Sequence, residues 1–257
     1  MIEQTFNVGN RPRFVAGIAS GSIEVLEGEA GSIALQVESP REGDFVISQT
    51  GDTVTVRRPL GSEGWNRRES STRIRAEIPA GTTVRISGAS AEITAQARLA
   101  EAFIDTASGD VSLSEVRDAK IKSASGDLTI GLVSGEANLR TASGDVRIRD
   151  VAHRMEVNTA SGSVDVALAR GDVTSSAASG DLVVERFEGS ELNLKSVSGN
   201  IRVGLPRGTR VSLDARSLSG NIALPERSPA GGAPDDRRQV RAKLRTISGD
   251  IEIIRLD

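Results

Sequence analysis

Residues 141–166 read TASGDVRIRDVAHRMEVNTASGSVDV, and this stretch decides the fold. The corner Ser143-Gly144-Asp145 returns 18 residues later as Ser161-Gly162-Ser163. Working outward in both directions, the same tripeptide or a close variant has its Ser at 108, 125, 143, 161, 179, 198, 219 and 248. The steps between them are 17, 18, 18, 18, 19, 21 and 29 residues. A period this short, held over this many units, is the signature of a repeat architecture.

Alignment on the Ser gives columns. Three positions after it stand Val111, Leu128, Val146, Val164, Leu182, Ile201, Ile222 and Ile251, and five after it Leu113, Ile130, Ile148, Val166, Val184, Val203, Leu224 and Ile253. The residues between these columns are mostly polar, among them Ser112, Thr129, Arg147 and Glu252. Apolar residues at alternate positions mark a strand with one buried face. A second, mostly aliphatic column lies four positions before the Ser (Ile104, Ile121, Leu139, Val157, Ser175, Leu194, Ala215, Leu244), and a mostly hydroxyl column two before it (Thr106, Ser123, Thr141, Thr159, Ala177, Ser196, Ser217, Thr246). Each repeat therefore holds two short strands joined at a Gly, from the set Gly109, Gly126, Gly144, Gly162, Gly180, Gly199, Gly220 and Gly249. A tight corner with close backbone approach needs a residue without Cβ. No such unit can bury its apolar face alone. Stacking coils at about 4.8 Å supplies both hydrogen bonds and core. The expected fold is all-β: a β-helix, or β-solenoid, with coils of about 18 residues.

Residues 72–257 form the regular β-helix, and residues 1–71 read as divergent β repeats or a cap. Ala19-Ser20-Gly21-Ser22-Ile23-Glu24-Val25 parallels Ala160-Ser161-Gly162-Ser163-Val164-Asp165-Val166. Residues 60–71, with Trp65, Arg67 and Arg68, read as an exposed loop, and residues 226–239 as a loop insertion that explains the 29-residue step. Ile78-Pro79-Ala80-Gly81-Thr82 resembles Leu205-Pro206-Arg207-Gly208-Thr209, so one turn is used twice. The chain stops just after the strand Ile251 to Ile254. That ending predicts a sheet edge at the last repeat, either blunted by the charges of Arg255 and Asp257 or open to another molecule.

Composition narrows function. Aromatics are 2% of the 257 residues, with one Trp and no Tyr, so the core is aliphatic. The net charge of −3 carries no excess for polyanions, and specific nucleic-acid binding is not expected. There is no Cys, and His153 is the only His, which leaves thiol or Ser-His-Asp chemistry at most one base. No apolar run nears the roughly 20 residues of a membrane helix. The N-terminus MIEQTFNVGN lacks a signal-peptide pattern. A cytoplasmic location follows, with an envelope-associated one as the alternative if an export segment has been removed.

The repeats T-A-S-G-D-V-x-I, the V/L-P-x-G-T turn and the closing Leu244-Arg245-Thr246-Ile247-Ser248-Gly249-Asp250-Ile251 resemble the bacterial "putative adhesin" β-strand-repeat family, a domain of unknown function. The resemblance covers roughly residues 72–257 well and 1–71 weakly. It implies a right-handed single-stranded β-helix and no catalytic residues.

The candidate chemistry is sparse. The Asp110, Asp127, Asp145, Asp181 and Asp250 column, with Asn200 and Asn221 in register, serves turns; its alternative use is a calcium ladder. The basic column Lys122, Arg140, Lys195, Arg216 and Arg245 could meet an anionic surface. Trp65 between glycines and arginines suits an interface anchor. No cofactor, metal site or catalytic residue is expected. The sequence reading is a non-catalytic, adhesin-like module presenting a repetitive surface to an unknown protein or envelope polymer. Its alternatives are a bactofilin-like scaffold that self-associates through its ends, and a calcium-ordered β-roll.

Overall fold

The computed structural model describes residues 1–39, 45–58, 71–225 and 239–256, and among these every regular element is a strand. The chain is a β-solenoid of stacked parallel coils. It divides into two compact units, residues 1–131 and 132–257.

In the first unit the strands are β1 (Ile2–Asn7), β2 (Arg13–Glu27), β3 (Ser32–Glu38), β4 (Val46–Thr50), β5 (Thr53–Arg57), β6 (Thr72–Ile78), β7 (Thr82–Ser108) and β8 (Val111–Ser125). The chain passes into the second unit within β9 (Leu128–Val133). Strand β2 is the second layer of the first unit. One edge of it pairs in parallel with β5 (Arg13↔Thr53) and β6 (Gly21↔Thr72), the other with β7 (Arg13↔Thr83 to Val25↔Ala95). The coil made by β5 and β6 is thus outermost, although it follows β2 in sequence. Antiparallel strands cover it: β4 on β5, β3 on β6, and β1 on β3. Their inward residues Ile33, Leu35 and Val37 are fully buried. The strands β1 to β6, from Ile2 to Ile78, thus make two coil layers plus a cap, and the irregular spacing comes from the antiparallel strands threaded between them.

In the second unit the strands are β10 (Glu136–Ser143), β11 (Val146–Val151), β12 (Arg154–Ser161), β13 (Val164–Ala169), β14 (Asp172–Ser179), β15 (Leu182–Phe187), β16 (Glu191–Ser198), β17 (Ile201–Pro206), β18 (Arg210–Ser219), β19 (Ile222–Ala223), β20 (Gln239–Ser248) and β21 (Ile251–Leu256). Two parallel ladders build the coils, and their order is not the order of the chain. One runs β10-β12-β14-β16-β20-β18, the other β11-β13-β15-β17-β21-β19.

This order corrects the expectation of a sheet edge at the last repeat. The final coil, β20–β21, is inserted between its two predecessors: Ile251 faces Ile201 on one side and Ile222 on the other. The outermost layer is β18–β19. The aliphatic columns therefore hold in spatial order, and Ile201, Ile251, Val203 and Ile253 are buried, whereas Ile222 and Leu224 are 41% and 55% exposed.

The twice-used turn now has a cause. After β6 the chain must pass over the β2 layer to begin β7, and after β17 it must pass over the β20–β21 layer to begin β18. Pro79-Ala80-Gly81 and Pro206-Arg207-Gly208 make these two-layer steps. Their glycines have φ of 80° and 79°, the left-handed region where a Cβ is disfavoured. Thr82 closes the first turn by donating its hydroxyl to the Pro79 carbonyl at 2.7 Å.

A candidate binding face on the second unit

Outward residues of β12, β14, β16, β20 and β18 form transverse rows, because parallel register places equal positions of successive coils side by side. The first row holds Arg154 beside Asp172, and Glu191 beside Arg241, which has Ser212 on its other side. The second runs Glu156, Thr174, Asn193, Lys243, Asp214. Together they line a depression of about 510 Å³. Charges of both signs line it, and no aromatic ring takes part. Asp172 also holds the floor in shape, its Oδ1 accepting the backbone N–H groups of Ser190 (3.2 Å) and Glu191 (2.9 Å). Sequence reasoning passed over these rows. They mix acidic, basic and neutral residues from coil to coil, so no column of one residue type flags them.

The third row is the predicted basic column, and in this unit it reads Arg140, Asn158, Ser176, Lys195, Arg245, Arg216. Layer insertion brings Lys195, Arg245 and Arg216 onto adjacent strands. The column is not a free cationic stripe. Asp214 accepts from Arg216 Nε at 2.9 Å and from Arg245 Nη2 at 3.2 Å. The Arg245 hydrogen bond foremost, helped by Arg216, holds the Asp214 carboxyl below its ordinary range. Arg245 is half-buried, and its Nε has no hydrogen-bond partner. In the first unit Lys122 is exposed and faces Asp105 across the ladder. Trp65, Arg67 and Arg68 lie outside the described residues.

The Asp column is bound up in the backbone. Each side-chain oxygen accepts the N–H of the same position one layer on: Asp145 from Ser163 (2.9 Å), Asp181 from Asn200 (2.7 Å), Asn200 from Asp250 (2.9 Å) and Asp250 from Asn221 (2.7 Å). In the first unit Asp110 accepts from Asp127 at 2.8 Å. Layer order explains the two Asn residues: the spatial series is Asp145, Ser163, Asp181, Asn200, Asp250, Asn221, so no two carboxylates of this unit's ladder adjoin. Among the described residues no three or more His, Cys, Asp or Glu are grouped to hold a metal ion. The corner glycines are packed against one another along the same line. At Gly199, with φ of 154°, a Cβ would overlap the Gly180 carbonyl.

One corner is apolar. The residue just before each corner Ser is Ala142, Ala160 and Ala178 in the early coils of this unit, but Val197, Ile247 and Leu218 in the last three layers. Their neighbours Lys195, Arg245 and Arg216 stack in register, as do Ser198, Ser248 and Ser219, so the three large aliphatics form a continuous stripe. They are 51%, 51% and 84% exposed.

Among solved structures the chain is similar to a "putative adhesin" from Bacteroides fragilis, with 14% identity, a TM-score of 0.51, and 98% and 96% of the two chains covered. It also matches "putative adhesins" from Parabacteroides distasonis (11% identity, TM-score 0.43, 98% and 96% covered) and Parabacteroides merdae (10%, 0.44, 98% and 95%). No curated protein matches it. No helix among the described residues is long and apolar enough to cross a membrane. The family model described as Toastrack DUF4097, a β-helical fold, matches residues 18–254, and the chain belongs to that family.

Proposed function

We propose that this chain is a non-catalytic, adhesin-like module that binds a polar polymer of the cell envelope on the outer face of its second unit. The observation that carries the reading is the depression across β12, β14, β16, β20 and β18. There, Arg154, Glu156, Asp172, Glu191, Arg241 and Lys243 present donors and acceptors in rows one strand spacing apart. Such a surface repeats its hydrogen-bonding groups about every 4.8 Å, which suits an extended, hydroxyl- and amide-rich ligand. With no aromatic platform, polar contacts carry the specificity.

The non-catalytic reading is supported by the chemistry at hand. The chain has no Cys, and its one His, His153, is exposed in the turn before β12 and is not among the residues that line the depression. The name "putative adhesin" borne by the similar Bacteroides fragilis structure agrees with a binding role.

The test is calorimetric titration with soluble peptidoglycan fragments and neutral and acidic envelope polysaccharides, using the natural chain and the variants Glu191→Ala and Lys243→Ala. Saturable binding to one class, weakened tenfold or more by either substitution, is expected. Binding to none of them, or equal binding by the variants, would remove the depression as the site.

A further inference from the structure

No described residue covers the coil formed by β18 and β19. Its inward residues Val211, Leu213 and Ala215 are only half-buried, while Val240, Ala242 and Leu244, the same positions one layer in, are 1%, 3% and 0% exposed. Ile222 and Leu224 are similarly uncovered. Strand β18 pairs with β20 and β19 with β21, and no described residue pairs with their far edges. A row of unpaired backbone donors and acceptors beside exposed aliphatics is a template for strand addition. The apolar stripe Val197–Ile247–Leu218 runs up to that edge and is most exposed at Leu218.

We infer that a second copy of this chain completes the layer, β18 pairing antiparallel with β18 of its partner about a twofold axis. The charge pattern of β18 selects the register. With Ala215 opposite the partner's Ala215, Asp214 faces the partner's Arg216, and by symmetry Arg216 faces the partner's Asp214. Leu213 then lies opposite the partner's Ser217, so inward residues stay inward, as the pleat requires. A shift by one pleat in either direction sets Arg216 against Arg216 or Asp214 against Asp214, and like charges directly opposite are destabilising. The chain already uses antiparallel cover in its first unit, where β3 and β4 lie on the outermost coil. An isologous contact uses the edge up in one step, so assembly closes at a dimer and no filament grows.

The experiment is light scattering coupled to size exclusion on the full chain over a concentration series. It includes the variants Arg216→Glu and Asp214→Lys, each checked for fold by circular dichroism. The natural chain is expected at twice 27.0 kDa. Each variant alone opposes like charges and runs as a monomer where the natural chain is dimeric. Mixed in equal amounts, the two variants regain the dimer, because the introduced glutamate of one copy then faces the introduced lysine of the other. A natural chain that stays monomeric throughout overturns the inference, as do species growing beyond a dimer or an Arg216→Glu chain that still pairs. Dimers that form only after residues 226–238 are replaced by a short Gly-Ser linker would give the edge to that segment and overturn it too.

Discussion

The two outermost coils of this chain are built alike and finished differently. In each unit the second layer breaks the order of the chain: β2, which precedes β5–β6, lies beneath them in the first, and β20–β21, which follow β18–β19, lie beneath them in the second. Each rearrangement takes the chain over one layer, and a Pro-x-Gly-Thr turn makes the step in both places. A coil held between two layers has ladder hydrogen bonds on both edges. What differs is the cover. Antiparallel strands close the first outer coil and bring Ile74, Ala76 and Val54 to full burial. The second leaves the inward Val211, Leu213 and Ala215 half-buried and Ile222 41% exposed. The difference separates a covered layer from one that no described residue covers.

The largest effect expected from this comparison is at the corner glycines. Gly199 lies between layers, with a left-handed φ and no room for a Cβ against Gly180. Gly199→Ala is expected to cost about 4 kcal/mol in urea denaturation, the sum of backbone strain and overpacking. Gly220 has the same conformation and packs on Gly249, but its coil is bonded on one side only and can lift away. Gly220→Ala is expected to cost about half as much, because lifting relieves the overlap and leaves mainly the strain. Equal costs would mean the uncovered coil is as firmly held as the inner ones.

A smaller effect separates the cores beneath the two finishes. Leu35, on a covering strand, is 1% exposed, and Leu35→Ala is expected to cost about 3 kcal/mol for lost transfer energy and the cavity left behind. Leu213 keeps part of its side chain in water, so Leu213→Ala should cost about 1 kcal/mol, measured in the Arg216→Glu chain so that pairing does not mask it. A Leu213 cost as large as that of Leu35 would show the layer already covered within one copy.

How much of this was legible in the sequence depends on what the period can report. The columns at Val146, Ile148 and Leu139 give the strands, the corners and the buried face, because each is a local demand repeated in every coil. The position of a coil in the stack is not local. Steps of 18, 19 and 21 residues suggest orderly stacking, and nothing in the spacing announces that Ile251 sits between Ile201 and Ile222. Two features did carry that information: the pair of Pro-x-Gly-Thr turns, and the order of Asp and Asn at 181, 200, 221 and 250. The second alternates only when coil 239–256 is moved one layer inward. The candidate site fared less well. Lys195, Arg245 and Arg216 were picked out as a column, but Asp214, the partner of Arg245 and Arg216, belongs to a neighbouring row, and the depression beside them arises from positions that share no residue type. The stripe at Val197, Ile247 and Leu218 was visible as a departure from the Ala of the earlier coils. A search for what repeats overlooks such departures.

The smallest effect is electrostatic and tests the layer order directly. Asn200 lies between Asp181 and Asp250, whereas Asn221, on the uncovered coil, adjoins Asp250 alone. Asn200→Asp and Asn221→Asp leave an acceptor oxygen in place and add only charge. Two carboxylates one layer apart repel by about 0.9 kcal/mol at water-like dielectric. Asn200→Asp should therefore cost nearly 2 kcal/mol, on the order of two such repulsions, and Asn221→Asp about half of that. Molar salt should shrink the cost, because these side chains stand in exposed turns. If the chain stacked in sequence order, Asn221 would lie between Asn200 and Asp250, and Asn200 would adjoin only one carboxylate. The two substitutions would then cost the same, and a twofold ratio between them distinguishes the inserted coil from the sequential one.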